Sequence, residues 1–161
     1  LLNALDHNID DVDLYGGNKF TQLLCKLAMR YVNHIEAVIA RAIRRNSRLT
    51  PPTPYKTTRR ALDGVLGVGC KMGEGWLLTA EMLELIESGA RNVICAQPFG
   101  CLPNHIVGKG MMKPIKESTP GANIVAIDYD PGASEVNQLN RIKLMLSTAN
   151  KVWKGNKVKN F

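Results

Sequence analysis

Asn92-Val93-Ile94-Cys95-Ala96-Gln97-Pro98-Phe99-Gly100-Cys101 is the stretch on which the reading of the chain turns. Its first five residues, apolar after Asn92, make a run of buried-strand length, and Pro98 and Gly100 then punctuate it. A second run of the same kind, Ala122–Ile127, leads into Asp128-Tyr129-Asp130-Pro131-Gly132. Between the two lies a segment of about fifteen residues able to form a helix, which makes the whole a βαβ unit with parallel strands. Asn104 is placed to cap that helix, and Gly108, Gly110 and Pro114 predict that it is irregular. The segments leaving parallel strands emerge at one edge of the sheet, where open α/β sheets bind ligands.

Working outward, Val65-Leu66-Gly67-Val68-Gly69 reads as an additional first strand, with a helix after it marked by Leu78, Met82, Leu85 and Ile86. Ser88-Gly89 stops that helix. Asp130 as cap and Pro131 in the first turn predict a final helix with Val136, Leu139, Ile142, Leu146 and Ala149 on its apolar face. The expected fold is α/β, a small parallel sheet flanked by helices and preceded by a long amphipathic helix. Loops 70–76, 97–105 and 128–134 should then share the carboxyl edge.

That preceding helix is predicted over Lys19 to about Arg45, after a turn at Tyr15-Gly16-Gly17-Asn18. Phe20, Leu23, Leu24, Leu27, Tyr31, Ile35, Val38, Ile39 and Ala42 recur at three- and four-residue steps, a stripe expected to pack on the sheet or on a second copy. Cys25 beside it reads as an inert packed thiol and His34 as a surface residue. Thr50-Pro51-Pro52-Thr53-Pro54 ends the helix. The domain reading is an N-terminal helical segment over 1–50, a Pro-rich linker over 51–60, an α/β subdomain over 61–150, and a basic tail over 151–161 expected to fray.

The chain has 161 residues, of which 45% are hydrophobic and 22% charged, as in an ordinary globular protein. No apolar run approaches the roughly 20 residues of a membrane span, and no signal peptide is visible. A chain starting Leu1-Leu2 without Met is expected to be a piece of a longer protein. Four unevenly spaced cysteines do not form a disulfide framework, which favours a reducing cytoplasm. The net charge of +7 collects at Arg41, Arg44, Arg45 and Arg48, at Lys56, Arg59 and Arg60, and along the tail. These read as solvated flanks or partner contacts, and nucleic acid is not expected because base-stacking aromatics are sparse among them.

The expected edge collects Cys70, Glu74, Trp76, Pro98, Cys101, Asn104, His105, Asp128, Asp130 and Ser134. Cys and His can ligate a metal, and thiolates hold iron–sulfur clusters. Cys101 is the first candidate ligand and Cys70 the second, while Cys95 should point into the core. Gly73-Glu74-Gly75 and Gly108-Lys109-Gly110 complete neither a P-loop nor a dinucleotide fingerprint, so tight turns are their simplest reading. A Cys101–His105 nucleophilic pair lacks an identifiable orienting acid. No catalytic residue is assigned.

Three motifs together resemble a known family. They are Gly73-Glu74-Gly75-Trp76, the run Gln97–His105, and the run Asp128–Arg141, which begins Asp-Tyr-Asp-Pro-Gly-Ala-Ser-Glu-Val-Asn. They resemble the large CoA-enzyme activase-related proteins, in which activase modules are fused to regions like the 2-hydroxyacyl-CoA dehydratase subunits. The resemblance covers roughly residues 62–147 and points to the C-terminal dehydratase-like region. It implies a flavodoxin-like subdomain helping to hold a [4Fe–4S] cluster, with Cys101 at the ligand position and Asn104 and His105 around it. Glu74, Trp76, Pro98, Asp128, Asp130 and Ser134 would line the crevice. It further implies ATP use through another domain, a CoA-thioester type of substrate, and upstream activase and dehydratase-like domains as partners. A homodimer is one candidate assembly, no membrane is expected, and the isolated piece is expected to be inactive and to carry no cluster. The contrasting reading is a non-catalytic assembly module that docks partners through its long helix and basic surface.

Overall fold

The computed structural model describes residues 1–46 and 48–158. The chain divides into two compact units, Leu1–Leu77 and a second that begins at Leu78. It is a mixed α/β protein with six α-helices among the described residues and a two-stranded parallel sheet.

The first unit is helical. α1 (Leu2–Tyr15) and α2 (Lys19–Asn46) form a hairpin across Gly16 and Gly17. Asn18 caps α2, its Oδ1 accepting from the backbone N–H of Phe20 at 2.9 Å. Arg44 and Arg45 close the helix at the negative end of its dipole. The expected helix is therefore present over nearly the expected range, but it turns a different side inward. Gln22 and Ala40 are buried, and Cys25, Met29 and Val32 are half-covered, whereas Phe20, Leu24, Leu27, Tyr31 and Val38 are exposed. Gln22 fixes this rotation: its Nε2 donates to Ile9 O at 3.1 Å and to Asp13 Oδ1 at 2.7 Å. A buried amide left without those partners would cost more than an exposed apolar side chain.

After Pro51, Pro52 and Pro54 comes α3 (Tyr55–Arg60), so the expected linker carries a short helix. The predicted strand Val65–Gly69 does not form. Residues 61–65 and 68–69 are turns, helped by the positive φ of Gly64 (78°), and the remaining glycines leave too few side chains to pack as a strand. The turns lead to Trp76, which is completely buried among His7, Tyr55 and Arg59.

In the second unit, α4 (Leu77–Glu87) ends at Gly89, whose φ is 104°. β1 (Asn92–Pro98) and β2 (Asn123–Tyr129) pair in parallel, in register from Asn92↔Asn123 to Pro98↔Tyr129. The connection between them is irregular as expected: a π-turn at Asn104–Gly108, a 3₁₀ turn at Lys109–Met111, then α5 (Met112–Ser118). Asn104 does not cap it, because its side chain is engaged elsewhere. α6 runs from Glu135 to Val158, so the backbone of the basic tail expected to fray over 151–161 is helical through Val158, and residues 159–161 lie outside the described residues. It starts later than Asp130, which instead closes a tight turn by accepting from Gly132 N–H at 2.9 Å.

α6 shields β2. Gln138 donates to Asp128 O at 2.8 Å and Arg141 to Ala126 O at 3.1 Å, while Asn123 Nδ2 donates to Met145 O at 2.9 Å. Side-chain donors thus occupy carbonyls that an additional strand would otherwise use. Val93, Cys95, Ile115, Ile124, Ala126 and Ile127 form the interior beside the strands.

Candidate functional site at the carboxyl edge of the sheet

The register ends with Gln97 opposite Asp128 and Pro98 opposite Tyr129. The loops 97–105 and 128–134 therefore leave adjacent strands side by side, about 4.8 Å apart. This part of the predicted edge is present.

Beyond β1 the chain reverses tightly. Cys101 N–H donates to Pro98 O at 3.3 Å, and Gly100 takes a φ of 67°, which disfavours any side chain there. Cys101 emerges half-buried. Asn104 Nδ2 donates to its Sγ at 3.1 Å, and Asn104 O accepts from Gln97 Nε2 at 2.9 Å. Gln97 is 1% exposed and its Oε1 has no partner among the described residues, a buried polar group with capacity to spare. A relay of three residues thus ties the sulfur to the end of β1. A donor aimed at sulfur stabilises negative charge held on it. The relay is seated on the π-turn, a distortion that widens the helix and recurs at functional sites. His105 and Pro98 are exposed at the same loop.

Cys95 is a different kind of thiol. It is buried within β1, and burial pushes its pKa up, with the weak contact from Gln97 opposing this only in part. A Cβ on Gly108 would lie 3.1 Å from its sulfur, so helix and strand pack here without room for a ligand.

The second loop borders a cavity of about 290 Å³ lined by Asp128, Asp130, Ser134, Asn137, Gln138 and Arg141 among others. Carboxylate acceptors and guanidinium donors face the same space. Asn137, Gln138 and Arg141 were not among the expected crevice residues. They lie one turn or more into α6, where helical spacing from Ser134 is the only sequence signal that could place them.

Loop 70–76 departs from expectation. It follows turns, not a strand, and belongs to the first unit. Cys70 is exposed, and its carbonyl accepts from Trp76 N–H at 2.6 Å. Gly75 has a φ of 54°, and a Cβ there would sit 2.3 Å from Cys70 O. Gly73-Glu74-Gly75 is therefore a turn that delivers Trp76 to the interior. Trp76 is fully buried, away from the expected crevice lining, and Glu74 is exposed within the turn.

Around Trp76 lies a cluster that sequence reading missed. Asp6 and Asp10, one turn apart on α1, are both buried and both paired with Arg59; Arg59 Nη2 lies 2.8 Å from Asp10 Oδ1. Burial opposes the Arg59 charge, but the bonds to Asp10 and Asp6 outweigh it and hold its pKa up. Tyr55 donates to Asp6 Oδ2 at 3.0 Å, and burial, followed by the nearby Asp6 carboxylate, pushes its hydroxyl above the ordinary value. His7, edge-on to Trp76 at 6.0 Å between ring centroids, has its pKa lowered by burial, against the pull of Asp6 and Asp10. The available signal was the four-residue spacing of Asp6 and Asp10 flanking Ile9.

Among the described residues, no three His, Cys, Asp or Glu side chains gather to hold a metal ion. The carboxyl edge suits one thiolate ligand, whereas a cubane takes about four. No family model matches the chain, and no curated protein or solved structure matches it significantly.

Proposed function

We propose that this chain is the C-terminal dehydratase-like part of an iron–sulfur protein related to the CoA-enzyme activases, and that its carboxyl edge contributes Cys101 to a [4Fe–4S] cluster. The observation that carries the reading is the Gln97–Asn104–Cys101 relay, which presents a half-buried sulfur with an amide donor at 3.1 Å. The residues here fit one ligand position, and the other ligands would come from a companion lobe in the parent protein. When bound, such a cluster supplies low-potential one-electron transfer. Within this chain, Asn104 orients the sulfur and withdraws charge from it, Gln97 fixes Asn104, and the Gly100 turn sets the distance from β1.

The motifs Gln97–His105 and Asp128–Arg141 also favour the finer reading of a flavodoxin-like subdomain. A polar cavity beside Asp128, Asp130, Ser134 and Arg141 lies at the same edge, which supports the reading that part of a CoA-thioester type of substrate binds there. ATP would act through an upstream activase domain. This describes a cytoplasmic, anaerobic electron-transfer system, in which the isolated chain is inactive. Anaerobic reconstitution of the parent protein tests it: Cys101→Ser should lower bound iron and sulfide, while Cys25→Ser should not. Equal cluster content in both variants would refute the assignment.

A further inference from the structure

We infer that the outward face of α2 docks a partner helix whose flanking residues are acidic. This rests on the first unit alone and is independent of the role of Cys101. Phe20, Leu24, Leu27, Tyr31, Ile35 and Val38 are all exposed and follow one another along one side of α2. At 1.5 Å per residue they make an apolar ridge about 27 Å long, on a helix already anchored to α1 by its opposite side. Contiguous exposed apolar surface of this extent marks an interaction site.

Charge decides what covers it. α2 carries Lys19, Lys26, Arg30, Arg41, Arg44 and Arg45 against a single acidic residue, Glu36. Projected at 3.6 residues per turn, most of these cations lie roughly a quarter to a third of a turn to one side of the ridge. The other border of the ridge, with Ala28, Val32 and Ile39, has no cation. At the C-terminal end, Val38 and Ala42 floor a shallow groove of about 300 Å³ whose rim carries Arg41 and Arg45. No acidic side chain pairs with either arginine among the described residues. An apolar floor with two guanidiniums above it suits a carboxylate on an aliphatic stem, the side chain of a glutamate on an approaching helix.

Two other occupants fit less well. An antiparallel second copy would bring one cationic border against the other, where like charges repel, and a parallel copy would lay each cationic border on an uncharged one, leaving the arginines without carboxylates. A helix lying in a membrane interface uses cations on its polar flanks to reach the headgroups, and here one flank has none.

The test is fluorescence anisotropy of the complete chain with two labelled designed helices of about 28 residues. Both carry leucine at the heptad core positions; one has glutamate at the flanking positions and its twin has lysine. The glutamate helix should bind about tenfold or more tightly than the lysine helix, and Arg41→Glu with Arg45→Glu should cut that preference about threefold or more. Leu24→Ser with Leu27→Ser should weaken binding of the glutamate helix about tenfold or more. These sites are exposed, so circular dichroism should be unchanged. Cys101→Ser should leave every one of these affinities unchanged, which separates this surface from the cluster assignment. Equal affinity for the two helices, or none for either, would overturn the inference. So would a dimer in sedimentation that Leu24→Ser with Leu27→Ser disperses. Binding only to phosphatidylcholine vesicles containing about 30% phosphatidylserine would overturn it as well.

Discussion

The two units bury polar groups in opposite ways. In the first, Asp6 and Asp10 lie inside the helical packing, neutralised by Arg59 and capped by Tyr55, next to a Trp76 indole N–H that has no partner among the described residues. In the second, the interior beside the strands is aliphatic, and Gln97 and Asn104 are buried where the chain leaves β1. The first arrangement holds helices together through charge, and the second holds one sulfur in place. Polar burial by itself therefore does not locate a site. What distinguishes the second is its position at the exit of parallel strands and a relay that ends on an accessible reactive atom.

The largest effect should come from breaking the ionic interior. Arg59→Ala leaves two buried carboxylates uncompensated and should cost about 3–5 kcal/mol in urea unfolding. Asn104→Ala, at the other polar centre, should cost only about 1 kcal/mol. Comparable losses would erase the contrast between the units. Gly75→Ala comes next, at about 2 kcal/mol or more, because it combines a left-handed backbone with a Cβ 2.3 Å from Cys70 O. Gly110→Ala, whose Cβ would meet nothing nearer than His105 O at 3.4 Å, should stay within about 1 kcal/mol of the parent. Thermal or urea denaturation of the pair measures the difference directly.

What the sequence revealed follows from how local each signal is. The cores of the two runs, Val93–Ala96 and Ile124–Ile127, are uninterrupted and apolar, and both lie in strands that pair in parallel, with two of the three expected loops leaving their carboxyl ends. The period of α2 gave its length, but not which side would face inward. That was settled by Gln22, a polar residue whose partners Ile9 and Asp13 lie on a neighbouring helix and leave no mark in the periodicity. Val65–Gly69 had strand composition but too many glycines to hold a strand. Cys101 was visible from its loop, whereas Gln97 and Arg141 were not. Their roles depend on a carbonyl of the π-turn and a carbonyl of β2, contacts that only the folded chain creates.

Smaller effects probe the same contrast through titration and labelling. The folded state disfavours protonated His7, because burial lowers its pKa below the ordinary 6.5. The unfolded chain takes up this proton first, so the contribution of His7 is intact above pH 6.5 and is lost as pH falls from there through the folded value. Stability measured between pH 7 and pH 5 should decline less steeply in His7→Gln than in the parent. An identical slope would show that His7 titrates alike in both states. In thiol labelling, exposed Cys70 should react first and buried Cys95 last, with Cys101 between them. Early modification of Cys95 would mean that the sheet opens readily at β1.

The assignment of Cys101 is tested most directly by iron and sulfide content, with the electron paramagnetic resonance of the reduced state, after anaerobic reconstitution. The chain alone, the chain joined to its companion lobe, and the joined form carrying Cys101→Ser should be compared. The account predicts a stoichiometric cluster only in the joined form, and its loss or a changed spectrum in the variant. A cluster of the same content and spectrum with serine at position 101 would contradict it.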